Sequence, residues 1–220
     1  MDKSIYHYGD LGPVYGAQWT NWDGKVNQIQ DVIHKLKTNP DDRRIMLSAW
    51  NPSAIPSMAL PPCHYCCQFY TKEMTFNERK TWFIKNVRCT ELDNITNEYM
   101  DEFNVPKRKL SCMWNMRSND VCCGLPFNIM SYALLTHMVA QCVNMDVDEL
   151  IFDGGYVHVY ENQIETYLST QKLNHPKLYS LPTLVLNKDI KNISDFTYDD
   201  IKIEGYQSYP KISYPLSVGL

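Results

Sequence analysis

The chain has 220 residues, 44% hydrophobic and 21% charged, with 21 Lys and Arg against 25 Asp and Glu for a formal charge of −4. That length and apolar content suit one domain with a sizeable core and exclude a disordered chain. The acidic balance argues against nucleic-acid binding as the main task, though not against a small basic pocket for a phosphate.

The opening MDKSIYHYGD has no apolar run of the kind that marks a secretory leader. Residues 1–24 read as loop and turn. In 25-KVNQIQDVIHKLKT-38, Val26, Ile29, Val32, Ile33 and Leu36 recur at helical spacing, with Asp23 as a candidate cap. A turn at 39-NPDD-42 leads to a strand over 43-RRIMLSAWN-51, and the proline-bounded 52-PSAIPSMALPP-62 is loop. His64 to Tyr70 alternates weakly and reads as a strand. Residues 71–108 are charged and read as an inserted surface excursion with one or two helices. A strand over 109–117 and a turn at 124-GLP-126 precede a long helix over 127–144, with Pro126 near its first turn. That helix holds the longest apolar run, which Ser131, Thr136, His137 and Gln141 interrupt, against a membrane span. A short strand at 150–152, a strand-to-helix passage over 156–171 and short strands from Leu181 onward complete the chain. The class is α+β, a mixed sheet with several packed helices, in a single domain over 1–220.

The eight cysteines are expected to be mostly free thiols in a reducing cytoplasm. Three of them fall in 60-LPPCHYCCQFY-70. Cys63, His64, Cys66 and Cys67 are too crowded to wrap one zinc ion, and there is no second CxxC to help, so no metal is expected. A redox CxxC opens a helix after a strand, whereas this one follows two prolines and enters a strand. Two readings stay open: one nucleophilic thiol presented by the stiff Pro61–Pro62 approach, or three small buried hydrophobes. Arg43–Arg44 offers guanidinium forks for a phosphate, or else surface pairing with Asp41 or Asp42. The stretch 117-RSNDVCCGLPFN-128 packs polar groups ahead of an apolar helix, where a ligand or helix capping would satisfy them. His158 and Tyr160 alternate on one face of a strand.

Together, 10-DLGPVYGAQW-19, 41-DDRRIMLSAWNP-52, 59-ALPPCHYCCQFY-70, 117-RSND-120, 124-GLPFNIMSYALL-135, 158-HVYENQIE-165 and 202-KIEGYQSYPKI-212 resemble the thymidylate synthases, in that family's order. The resemblance implies methylation of dUMP at C5, with 5,10-methylenetetrahydrofolate as one-carbon donor and reductant. It implies that Cys63 is the nucleophile that adds to uracil C6, with His64 beside it, Tyr15 in a proton and water network and Gln68 as a strand companion at the nucleotide. Phosphate contacts fall to Arg117 and Ser118, with Arg43 and Arg44 donated by the second subunit of a homodimer formed through the sheet. Asn128 reads the base, His158 and Tyr160 hold the deoxyribose 3′-hydroxyl, and Asp120, Gly124 and Phe127 face the folate.

Several departures accompany the match. The family carries a further N-terminal segment with a phosphate-loop arginine, a catalytic glutamate and a tryptophan. The expectation is therefore an N-terminally short chain, whether a fragment, a chain with a misplaced start or one that a separate polypeptide completes, and little active alone. Cys122 and Cys123 replace larger apolar residues, Met116 a polar one, and Gln163 a histidine. Tyr156 stands where a carboxylate or amide is common, and Gly219–Leu220 extend the usual C-terminus. The alternatives are a dUMP hydroxymethylase of the same superfamily, or an incomplete chain that only binds nucleotide or a partner.

Overall fold

The computed structural model describes residues 9–87, 95–170 and 179–217. Cys89, part of the 71–108 excursion and Gly219–Leu220 lie outside the described residues. Helix α1 (Tyr15–Thr20) forms where the sequence reads as loop, because six residues are too few to show a period. Helix α2 (Gln28–Thr38) buries Ile29, Val32, Ile33 and Leu36 along one stripe. Its cap is the side chain of Asn27, which accepts from the Gln30 N–H at 3.0 Å. Asp23 does not cap it. It sits at φ 51° in a turn closed by a Trp22–Val26 bridge, and its carboxylate takes the Asn51 amide instead.

The main sheet has the order β1-β2-β3-β4. Strands β1 (Met46–Ser48), β2 (His64–Glu73) and β3 (Arg108–Asp120) are successively antiparallel, and β4 (Asp146–His158) runs parallel to β3. Helix α5 (Gly124–Val143) makes the crossover between the two parallel strands, as parallel pairing requires. Pro126 lies within its first turn, where the missing N–H has no helical partner to lose. β4 has 13 residues, not three, because its acidic residues and Gly154–Gly155 hide the pattern. A Cβ on Gly155 would come 3.1 Å from the Met116 carbonyl oxygen, so the close approach of β4 to β3 selects glycine there.

Alternation along the strands sorts the side chains. Leu47, Cys67, Phe69, Leu110, Cys112, Trp114 and Met116 face α2 and α5 and form the core with Tyr132, Val139 and Ala140. The opposite face presents Met46, Tyr70 and Ile151, all exposed, and no element packs on it among the described residues. β5 (Thr183–Leu186) and β6 (Ile201–Glu204) pair as a separate antiparallel ribbon. Helix α6 (Ile164–Thr170) follows β4.

The excursion leaves β2 after Glu73 and rejoins at Arg108. Helix α3 (Phe76–Asn86) starts with a capping box between Thr75 and Glu78, and α4 (Asn97–Glu102) is capped by Thr96. Phe83, Ile95, Met100 and Val105 give the excursion a small core of its own. The buried Arg79 knits it together, donating to Asn97 at 2.7 Å, to Asp101 at 2.5 Å and to the Pro106 carbonyl at 3.3 Å. No helix among the described residues is long and apolar enough to cross a membrane.

Candidate active site

Topology gathers the polar residues at one end of the sheet. β2 is antiparallel to β3, so the start of β2 meets the end of β3, and β4 ends there too because it is parallel. Cys63, the segment Arg117–Asp120 and the pair His158 and Tyr160 therefore converge, with the first turn of α5 beside them. A crevice beyond the carboxyl ends of parallel strands is a recurrent ligand site.

Cys63 is half-buried and fixed on two sides. Its N–H donates to the Tyr15 hydroxyl at 3.0 Å, and its carbonyl accepts the Arg117 N–H at 2.9 Å. The Arg117 guanidinium donates to the carbonyls of Pro62 at 2.9 Å and Pro61 at 3.0 Å, which leaves Nη2 3.8 Å from Cys63 Sγ. The same guanidinium lies over the Trp50 ring, 5.9 Å from its centroid. Pro61 and Pro62 thus stiffen the approach to Cys63 and supply the acceptors that steer a positive charge onto its sulfur.

Behind the thiol, a bulge between His64 and Cys66 turns the His64 ring toward α5. The ring stacks on Tyr15 at 3.8 Å and 6°, and its Nδ1 lies 2.8 Å from the Tyr132 hydroxyl. Burial pushes the imidazole down to about 4, so the ring is neutral near pH 7. Burial likewise pushes the Tyr132 phenol far up, so its hydroxyl keeps its proton, and the imidazole tautomer sets which of the two donates. His64 is thereby a fixed aromatic support for Tyr15. Burial also raises the Tyr15 phenol, against the lowering effect of the Cys63 N–H it accepts.

Asp120 ends β3. One carboxylate oxygen accepts the N–H groups of Cys122 and Cys123 at 2.9 and 3.1 Å, and the other accepts Gln163 Nε2 at 3.2 Å. Each oxygen has two lone pairs, so the second retains an acceptor site. Gly124 and Phe127 open α5, and Phe127 is 67% exposed. Asn128 sits one turn along, and its side chain makes no hydrogen bond among the described residues, leaving both ends of the amide available. His158 pairs across the sheet with Asp120 and meets the Tyr160 ring edge-on at 4.7 Å. Ser118 lies between Arg117 and Asp120, paired with Tyr156.

Three expected residues are elsewhere. Arg44 pairs with Asp42 at 3.0 Å on the surface. The Arg43 carbonyl takes the Gln68 amide at 2.9 Å, which places both near the middle of β2. Gln68 is five residues from Cys63, about 16 Å along a strand. The Gln68 amide holds the arginine turn on the uncovered face. Arg43 is thereby placed beside Gln68 and not beside the thiol. Two further residues matter: Tyr132, which no expectation named, and Gln163, expected only as a departure from the family. Tyr132 is four residues beyond Asn128 on one helical face, a spacing that was available as a signal. Gln163 is fully buried among Asp120, Tyr160 and the C-terminal tail. Among the described residues no three His, Cys, Asp or Glu side chains converge as metal ligands.

An α+β chain with a mixed sheet thus carries Cys63 and Arg117 side by side at one end of that sheet, with the unengaged Asn128 amide on the helix that follows β3. The family model for thymidylate synthase matches residues 2–218, and the chain belongs to the thymidylate synthase family. That family is a methyltransferase group of nucleotide biosynthesis whose members bind dUMP and use a folate as co-substrate.

Proposed function

We propose that this chain methylates dUMP at C5 with 5,10-methylenetetrahydrofolate, giving dTMP and dihydrofolate. Cys63 adds to uracil C6 as the thiolate, and the ring then carries enolate character that makes C5 nucleophilic toward the folate methylene carbon. Arg117 stabilises the thiolate before attack and binds the nucleotide phosphate with Ser118. Asn128 accepts from uracil N3–H and donates to O4, a pattern that cytosine reverses. His158 and Tyr160 hold the 3′-hydroxyl, and Asp120 faces the pterin beside Gly124 and Phe127. After the carbon–carbon bond forms, C5 loses its proton to the network that includes Tyr15 as the bond between the transferred carbon and the folate N5 breaks, leaving an exocyclic methylene on C5; hydride from the folate then adds to that methylene as the C6–Sγ bond breaks and Cys63 leaves as the thiolate.

The chain works as a homodimer through the uncovered sheet face, with Arg43 and Arg44 reaching the phosphate in the other subunit. The placement of Arg43 beside Gln68 and not beside the thiol, together with the bare Met46, Tyr70 and Ile151, supports this arrangement. The observation that carries the reading is the 3.8 Å approach of the Arg117 guanidinium to Cys63 Sγ, held by two proline carbonyls. Tritium release from [5-³H]dUMP, with product analysis, tests it. dTMP with dihydrofolate is expected, whereas 5-hydroxymethyl-dUMP with tetrahydrofolate would show that water, not hydride, meets the methylene.

A further inference from the structure

Gln163 is fully buried, and its amide touches three separate parts of the fold. Nε2 donates to Asp120 Oδ2 at 3.2 Å and to the Pro215 carbonyl at 3.1 Å, while Oε1 accepts the Tyr160 N–H at 3.3 Å. The partners fix its orientation. A carboxylate and a carbonyl only accept, and a backbone N–H only donates, so the amide must present its nitrogen to Asp120 and Pro215 and its oxygen to Tyr160. Neighbouring contacts seat the same tail. Asn162 and Ser217 exchange hydrogen bonds at 2.9 and 3.1 Å, and the Tyr214 hydroxyl lies 3.4 Å from Thr170 Oγ1.

We infer that Gln163 is a positioning residue that fastens the C-terminal tail to Asp120, so that tail and carboxylate dock as one unit. The Tyr214 side chain also meets the Asp120 turn at Cys122, but among the described residues Gln163 alone hydrogen-bonds both the carboxylate and the tail backbone. Asp120 receives its other hydrogen bonds from its own turn at Cys122 and Cys123, and those leave the second oxygen unconstrained. With Gln163 in place, that oxygen is aimed by the same NH₂ group that holds Pro215. The kinetic part of the inference rests on the reading of Asp120 as the folate-side carboxylate. The tail part does not.

The test compares the wild type with Gln163→Met, which keeps volume and loses both donors, and with Gln163→Glu, which keeps shape and sets a carboxylate against Asp120. Hydrogen exchange is read on the amides between Lys211 and Ser217, alongside those of β2, β3 and β4. Both variants should speed tail exchange about tenfold or more while the sheet stays within about twofold. The KM for the folate should rise about tenfold, with the KM for dUMP within about threefold. Unchanged tail exchange would overturn the inference. So would acceleration spread evenly over tail and sheet with both KM values moving together, because that is loss of fold, not loss of a fastening. A wild-type chain inert toward dUMP and folate would fail the functional reading, and the exchange comparison would still decide whether Gln163 holds the tail.

Discussion

Arg117 and Cys63 are joined twice: the Arg117 N–H donates to the Cys63 carbonyl at 2.9 Å, and Arg117 Nη2 lies 3.8 Å from Cys63 Sγ. The backbone bond sets the register of two strand ends, and the side chain uses that register to place a charge. Arg117→Met should therefore slow carbamidomethylation of Cys63 at pH 7 by about tenfold and lower kcat/KM for dUMP by more, since the phosphate contact is lost as well. Alkylation kinetics followed by peptide mapping separate the two effects.

Burial holds the His64 imidazole at about 4 against an ordinary value of 6.5. Between those values the unfolded chain binds the proton and the folded chain does not. Stability therefore rises with pH across that window and is lost as pH falls from about 6.5 toward 4, by at most about 3 kcal/mol from this group. His64→Phe keeps the stack on Tyr15 and removes the titration, so urea unfolding between pH 4 and 6.5 should show a shallower slope than the wild type. Tyr132→Phe removes the hydroxyl that partners Nδ1 and should cost about 1–3 kcal/mol in the same assay at pH 7.

The legibility of these features from sequence was uneven, for physical reasons. The α2 stripe was visible because one helix face is buried against the sheet. The meeting of Cys63 with Arg117 and of Asp120 with His158 was not legible from spacing, since strand direction brings each pair together. The bulge after His64 was invisible because it leaves no composition signal. It determines that His64 faces Tyr132 while Cys67 enters the core. β4 was cut short because edge strands carry acidic residues and glycine. Gln163 was noticed as a substitution, but its role depends on a tail 52 residues further along the chain.

Asn128 offers one donor and one acceptor, and uracil needs both. Asn128→Asp loses the donor to O4 and gains an acceptor suited to an exocyclic amino group. The kcat/KM for dUMP should fall by about a hundredfold or more, while the relative turnover of dCMP rises. Parallel assays with the two nucleotides read this directly.

Arg43 is placed beside Gln68 and not beside its own Cys63, so the dimer reading predicts complementation. Arg43→Ala/Arg44→Ala and Cys63→Ser chains should each be nearly inactive. A refolded equal mixture should recover about a quarter of wild-type activity, because half the dimers are mixed and each has one complete site. Recovery indistinguishable from zero would place the arginines' work elsewhere.

Arg79 organises the excursion core, not the active site. Arg79→Met should open residues 74–107 to proteolysis while kcat and both KM values stay within about twofold, as expected for a locally unfolding unit. Limited digestion with mass spectrometry checks the site of cleavage.

The central claim is that Cys63 alone forms the covalent bond to the nucleotide. The direct measurement is incubation with 5-fluoro-dUMP and 5,10-methylenetetrahydrofolate, followed by digestion and mass spectrometry of the peptide spanning residues 63–67. The nucleotide and folate are predicted on Cys63, with the adduct abolished by Cys63→Ser and retained in Cys66→Ala and Cys67→Ala. An adduct on Cys66 or Cys67, or none on a folded dimer that binds both ligands, would contradict it.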